Sequence, residues 1–123
     1  MFESIWKRTL LDRARKLDIE GSPPFPVTIA DLAASGSMFY GMEHRTDVSN
    51  FNPMNYLRIL NKGGTTLQIV VNENTGNPET IPDSTAWEFK GIIRSFTLTN
   101  LSTTSTATGT LIYTTVQHKP LGG

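Results

Sequence analysis

Two histidines, His44 and His118, are the only side chains that could serve as bases near neutral pH. Neither has a serine, threonine or carboxylate partner at a spacing known for nucleophilic catalysis. Glu43-His44 and Asp47 form the densest group of metal-ligating types, but the order lacks the i, i+4 histidine pair that places two ligands on one helical face. A solvated polar loop is the expectation there, with no metal and no cofactor. Glu73, Glu79, Asp83 and Glu88 could supply a carboxylate pair for glycoside hydrolysis, but any β-rich domain carries such residues and their separation is not written in the sequence. A small hydrolase is therefore the weakest of three readings. Gly63-Gly64 lies between two β-rich runs rather than before a helix, so a phosphate cradle is not expected. With no cysteine, thiol nucleophiles and thiolate metal sites are excluded.

Contact chemistry is better represented. Phe2, Ile5, Trp6, Leu10, Ala14 and Leu17 recur at helical spacing, which predicts one amphipathic helix over roughly residues 2–17. Its basic residues Lys7, Arg8, Arg13, Arg15 and Lys16 are nearly balanced by Glu3, Asp12, Asp18 and Glu20. A mixed-charge face favours docking on protein over binding to nucleic acid or membrane. Phe39, Tyr40, Phe51 and Tyr56 could stack sugars or bases, but they are interleaved with Met38, Met42 and Met54 rather than with basic residues. Hydrophobic docking is the better expectation, with Ile5, Trp6 and Leu10 as the helix contact and Phe39, Tyr40 and Phe51 as the contact of an arm.

The helix must stop before Gly21-Ser22-Pro23-Pro24, because prolines lack the amide donor and force extended geometry on the residue before them. From Gly21 to Pro53 no period is sustained, and this stretch is expected to be an extended arm. Within it Val27 to Ile29 could form a short strand, or Thr28 to Ala34 one or two helical turns. From Asn55 onward the pattern has period two. Tyr56 to Leu60 and Thr65 to Asn72, joined by Asn61-Lys62-Gly63-Gly64, carry a hairpin signature. Thr80-Ile81 is long enough only for an edge pairing. Trp87 and Phe89 alternate with Ala86 and Glu88 in a strand expected to end near Gly91; Phe96 and Leu98 share a face, as do Ile112 and Val116. The threonines of these runs, among them Thr97, Thr99, Thr114 and Thr115, predict a solvated outer sheet face. Five or so closely spaced strands imply a sandwich or small barrel.

The 123 residues fit one domain, and 37% apolar content is enough for a modest core. Eleven basic and eleven acidic side chains cancel, so no overall positive field draws the chain to nucleic acid or anionic lipid. No run approaches the ~20 apolar residues of a membrane-spanning helix. Charges throughout the first sixteen residues interrupt any signal-peptide core, and Sec-dependent export is not expected.

One resemblance adds to this. Asn61-Lys62-Gly63-Gly64, Leu67-Gln68-Ile69-Val70-Val71-Asn72, Ile81-Pro82, Trp87-Glu88-Phe89-Lys90-Gly91-Ile92, Phe96-Thr97-Leu98-Thr99-Asn100 and Leu111-Ile112-Tyr113 follow one another in the loose order seen in small β-sandwich proteins of tailed bacteriophage virions. The stretch from Leu57 to Thr115 resembles that group, which covers about half of the chain. The resemblance implies a non-enzymatic head decoration (cement) protein, head fibre, or tail or baseplate accessory subunit. It further implies a location in the virion after assembly in the host cytoplasm, the major capsid protein or other virion subunits as partners, and a homotrimer. The expected fold class is mainly β: a sandwich of jelly-roll or immunoglobulin-like type over residues 54–123, carrying an N-terminal amphipathic helix and extended arm over residues 1–53. The alternative function is a glycan- or receptor-binding module of a fibre, tail or baseplate.

Overall fold

The computed structural model describes residues 20–42 and 53–120. The predicted helix, with Ile5, Trp6 and Leu10, lies outside the described residues, as do Phe51 and the Glu43-His44/Asp47 group. Eight strands follow in order: β1 (Phe25–Val27), β2 (Ser37–Gly41), β3 (Met54–Asn61), β4 (Leu67–Val71), β5 (Glu79–Ile81), β6 (Thr85–Ile93), β7 (Ser95–Asn100) and β8 (Ile112–Gln117). They form two four-stranded antiparallel sheets, ordered β1-β8-β3-β6 and β2-β7-β4-β5. Strand 1 therefore pairs with 8, 2 with 7, 3 with 6 and 4 with 5, as though a long hairpin had been wrapped so that its successive pairs alternate between two sheets.

Alternation places the core. Leu57 and Ile59 of β3, Ile93 of β6, and Ile112 and Val116 of β8 meet Leu67 and Ile69 of β4, Ile81 of β5, and Phe96 and Leu98 of β7 in one buried cluster. Each such side chain contributes about 1.5–3 kcal/mol by leaving water. Along β6 the half-buried positions Trp87 and Phe89 stack at 6.3 Å between ring centroids, while Ala86, Glu88 and Lys90 face solvent.

Three expectations are corrected. The runs around Asn61-Lys62-Gly63-Gly64 are strands, but they are not a hairpin: β3 pairs with β6 and β8, and β4 with β5 and β7. The glycine-rich link crosses from one sheet to the other instead of joining neighbours. Residues 25–27 and 37–41, read from sequence as arm, are β1 and β2, so the sheets begin well before residue 54. β6 also passes through Gly91 and ends at Ile93. Gly91 takes φ of +156°, and the register slips where Asn55 of β3 faces both Gly91 and Ile92. The alternation of β6 nevertheless continues through this bulge, so Ile92 faces outward in phase with Ala86, Glu88 and Lys90 and is 52% exposed.

Candidate partner-binding end

Asn72 directly follows β4 with φ of 54°, a left-handed conformation that asparagine tolerates better than most residues. Its side chain fastens the β4–β5 loop to the β6–β7 turn. Oδ1 accepts hydrogen bonds from the backbone N–H of Arg94 (2.6 Å) and Ser95 (3.2 Å), Nδ2 donates to the Ile92 carbonyl (2.7 Å), and the Asn72 N–H donates to the Ser95 carbonyl (2.8 Å). With that turn fixed, Phe39, Gly41, Asn72, Glu73, Ile92, Arg94 and Ser95 line an open cleft of about 500 Å³. Phe39 is 50% exposed, so the cleft sets two apolar side chains, Phe39 and Ile92, beside one acidic and one basic group.

The undescribed segments join the sandwich at this same end. The Ser22 N–H donates to the His118 carbonyl (2.8 Å), and the His118 N–H donates back to Ser22 Oγ (2.8 Å). His118 Nδ1 lies 2.6 Å from the Pro53 carbonyl; a carbonyl only accepts, so Nδ1 carries the proton. Asn55 and Lys119 exchange two hydrogen bonds (2.6 and 3.0 Å), and the Lys119 ammonium sits 3.8 Å from the centroid of the Tyr56 ring. The Met42 N–H donates to the Arg94 carbonyl (2.9 Å), and Met54 is opposite Ile93. Residues 20, 42, 53 and 120, where the chain enters or leaves the described part, are thus gathered around the cleft end.

At the opposite end, buried asparagines cage the connections. Asn61 Nδ2 donates to the carbonyls of Thr65 (2.8 Å) and Ile81 (2.9 Å), and its Oδ1 accepts from Gly63 N–H (3.1 Å). Asn100 Nδ2 reaches the carbonyls of Leu32, Ala33 and Ser105, while its Oδ1 accepts from Ser102 N–H. Asp31 Oδ1 accepts from Gly109 N–H at 2.7 Å.

The two outer faces differ in charge. On β1-β8-β3-β6, Arg58 stands opposite Glu88, and Tyr56 opposite Lys90. Burial, and then the hydrogen bond and charge of Glu88, hold the Tyr56 phenol above its ordinary value, with Arg58 opposing. On β2-β7-β4-β5 the outward positions are Ser37, Phe39, Gln68, Val70, Thr80, Thr97 and Thr99, none of them ionisable. The threonine-rich outer face is therefore real for Thr97 and Thr99. Thr114 departs from it: it points inward, is 3% exposed, and its Oγ1 has no hydrogen-bond partner among the described residues.

Of the residues expected to bind a partner, Phe39 lies in the cleft. Tyr40, its neighbour, faces the other way. Its ring stacks on Phe96 at 5.1 Å and 21°, and its hydroxyl accepts from Ala30 N–H at 3.2 Å. Burial raises the Tyr40 phenol above its ordinary value, with the Ala30 bond opposing. Ile92, Arg94, Asn72 and Glu73 were not anticipated as contact residues; the alternation of β6, which sets Ile92 outward with Ala86, Glu88 and Lys90, is the signal that could have found Ile92. Among the carboxylates, Glu79 accepts from Trp87 Nε1 (3.2 Å) and Asp83 from Gly64 N–H (3.0 Å), both roles within the fold. Among the described residues no group of three or more histidine, aspartate or glutamate side chains is placed to hold a metal. No family model, curated protein or solved structure matches the chain.

Proposed function

We propose that this chain is a non-enzymatic structural protein of a tailed-phage virion, of decoration or cement type, which binds and stabilises a capsid lattice. One observation carries the reading: the segments bearing Ile5, Trp6, Leu10 and Phe51 attach at the end of the sandwich that also presents Phe39 and Ile92 in an open cleft. A contact made there engages the cleft and the attached segments together, while the hydrogen-bonded far end holds the scaffold rigid. The paired order 1-8-3-6 and 2-7-4-5 is that of a jelly roll, an architecture used by viral capsid and lectin domains and by cupins, so fold alone leaves the function open. The likeness to phage virion proteins narrows it. Three asparagines of that likeness, Asn61, Asn72 and Asn100, clamp loops here. The partner in this reading is the major capsid protein or another virion subunit, the protein is a homo-oligomer, and no cofactor, nucleic acid or membrane takes part.

Stabilisation follows from mass action. A subunit that binds only the assembled lattice favours it by about 2.7 kcal/mol when its free concentration is about a hundred times Kd. The test is co-sedimentation of the full chain with empty shells assembled from a tailed-phage major capsid protein, compared with a variant in which Ile5, Trp6 and Leu10 are each changed to Glu. Pelleting of the natural chain and its loss in the variant supports the reading; equal pelleting of both removes the N-terminal segment as anchor. A second reading, a glycan-binding accessory module, is favoured by the exposed Phe39 ring beside Glu73 and Arg94. Hits for the isolated protein on a glycan array, with none expected of a cement subunit, would select it.

A further inference from the structure

Each sheet has two edges, and three of the four are guarded. β1 is three residues long and contains Pro26, which has no N–H to offer. β5 is also three residues long, with Pro78 before it and Pro82 after it. β6 is long, but its outward side chains include Glu88 and Lys90. Strand β2, Ser37-Met38-Phe39-Tyr40-Gly41, has neither proline nor charge, and it carries Met38 at 42% and Phe39 at 50% exposure. Among the described residues it pairs only with β7.

The hydrogen-bond phase of β2 fixes what this edge offers. Asn100 N–H donates to the Gly36 carbonyl, and Met42 N–H donates to the Arg94 carbonyl; both bonds continue the register that sets Ser37 against Thr99 and Gly41 against Ser95. Bonding alternates along an antiparallel strand, so residues 36, 38, 40 and 42 turn their backbone groups to β7. Ser37, Phe39 and Gly41 turn theirs away.

We propose that β2 is a self-pairing edge, through which two copies of this chain join antiparallel about a two-fold axis at Phe39. In that register Phe39 meets Phe39 of the second copy, Ser37 meets Gly41, and Met38 meets Tyr40. Every outward N–H and C=O of the three edge residues then finds a partner, because identical antiparallel strands are complementary about their centre. The side chains are palindromic in size: small Ser37 and Gly41 flank Phe39 on the outer face, leaving room for two phenyl rings side by side. No outward strand position of this sheet is ionisable; Glu73 and Arg94 lie beyond the strand ends, beside Phe39 and Gly41 at the cleft. This contact joins copies in pairs. It stands in place of the three-fold arrangement implied by the phage resemblance, takes up the Phe39 side of the cleft while leaving Ile92 and the attached segments free, and does not depend on the virion reading.

Sedimentation equilibrium of the full chain tests it. The expected mass is twice 13.6 kDa at submillimolar concentration. It should fall to the monomer in Phe39→Lys and stay doubled in Tyr113→Lys, which alters an equally exposed residue of the other sheet. Hydrogen exchange on the natural protein gives a readout independent of any variant: the amides of Ser37, Phe39 and Gly41 should gain protection as concentration rises. A monomer at all concentrations, as when residues 1–19 or 43–52 of the same chain cover the edge, overturns the proposal. So does a trimer, a dimer that survives Phe39→Lys in folded protein, or protection of those amides that is independent of concentration.

Discussion

Replacing Asn100 isolates the hydrogen bonds that hold one end of the sandwich together. The residue is fully buried, and its amide links the β1–β2 connection at Leu32 and Ala33 to the β7–β8 loop at Ser102 and Ser105. In Asn100→Ala all of these bonds are lost. The Leu32 carbonyl keeps the Ala107 N–H at 2.8 Å, and Ser105, being exposed, can turn to water. The loss is then near the net worth of about three hydrogen bonds, about 3 kcal/mol, rather than the full desolvation of every group. With a urea m-value of about 1.5 kcal/mol/M, the midpoint falls by about 2 M. Asn100→Asp is the sharper probe. It keeps the acceptor for Ser102 N–H but turns the Nδ2 position into an oxygen facing three carbonyl oxygens. Ionisation is disfavoured there, so the introduced carboxyl titrates higher folded than unfolded. The variant should be most stable below the unfolded value of about 3.9 and lose stability as pH rises through its folded value, ending below Asn100→Ala near pH 7. Urea unfolding across pH, followed by tryptophan fluorescence, reads both effects. A cost below about 1 kcal/mol for Asn100→Ala, or an Asn100→Asp variant as stable as the natural chain at pH 7, would refute the clamp.

Thr114→Val replaces a buried hydroxyl that has no partner among the described residues with a methyl of the same shape, and should raise stability by about 1 kcal/mol in the same urea assay. Gly109→Ala should cost about 3 kcal/mol or fail to fold, since the added carbon meets the Ile29 carbonyl oxygen and lies 2.6 Å from the Ala30 carbonyl carbon; a variant with natural thermal stability would contradict that packing. The raised phenols of Tyr40 and Tyr56 imply stability that is full below the unfolded value near 10 and is lost as pH climbs toward their folded values. Tyr40→Phe should cost about 1 kcal/mol at neutral pH, keep the stack on Phe96, and weaken the alkaline loss; an unchanged alkaline profile counts against the Tyr40 contribution.

Much of the β-architecture was legible because alternation records burial on one face. Leu67 and Ile69, Phe96 and Leu98, and Ile112 and Val116 all point inward as their spacing requires, and Trp87 and Phe89 sit half-buried. The partner of a strand was not legible in the same way. Gly63-Gly64 marks a change of chain direction, but turn chemistry does not say whether the next strand returns beside the last or crosses to the facing sheet. β2 was missed, and β1 was touched only by the alternative of a short strand from Val27 to Ile29, because both are short edge strands with proline or exposed side chains, which leaves little periodic burial to read. Within the cleft, Phe39 could be anticipated as an exposed aromatic. Ile92 keeps the outward phase of Ala86, Glu88 and Lys90, but it was missed because the strand was expected to end near Gly91. The strand-terminal asparagines stood out in sequence, yet their work as clamps depends on loops far away along the chain, as in the bonds from Asn100 to Leu32 and Ala33.

The most direct test of the assembly role is quantitative mass spectrometry of phage particles purified through a density gradient from the culture that carries this gene. The account predicts that the chain bands with the major capsid protein at a fixed ratio, in every fraction, after a high-salt wash. Its presence only in the soluble lysate, with none in the particle band, would contradict the account.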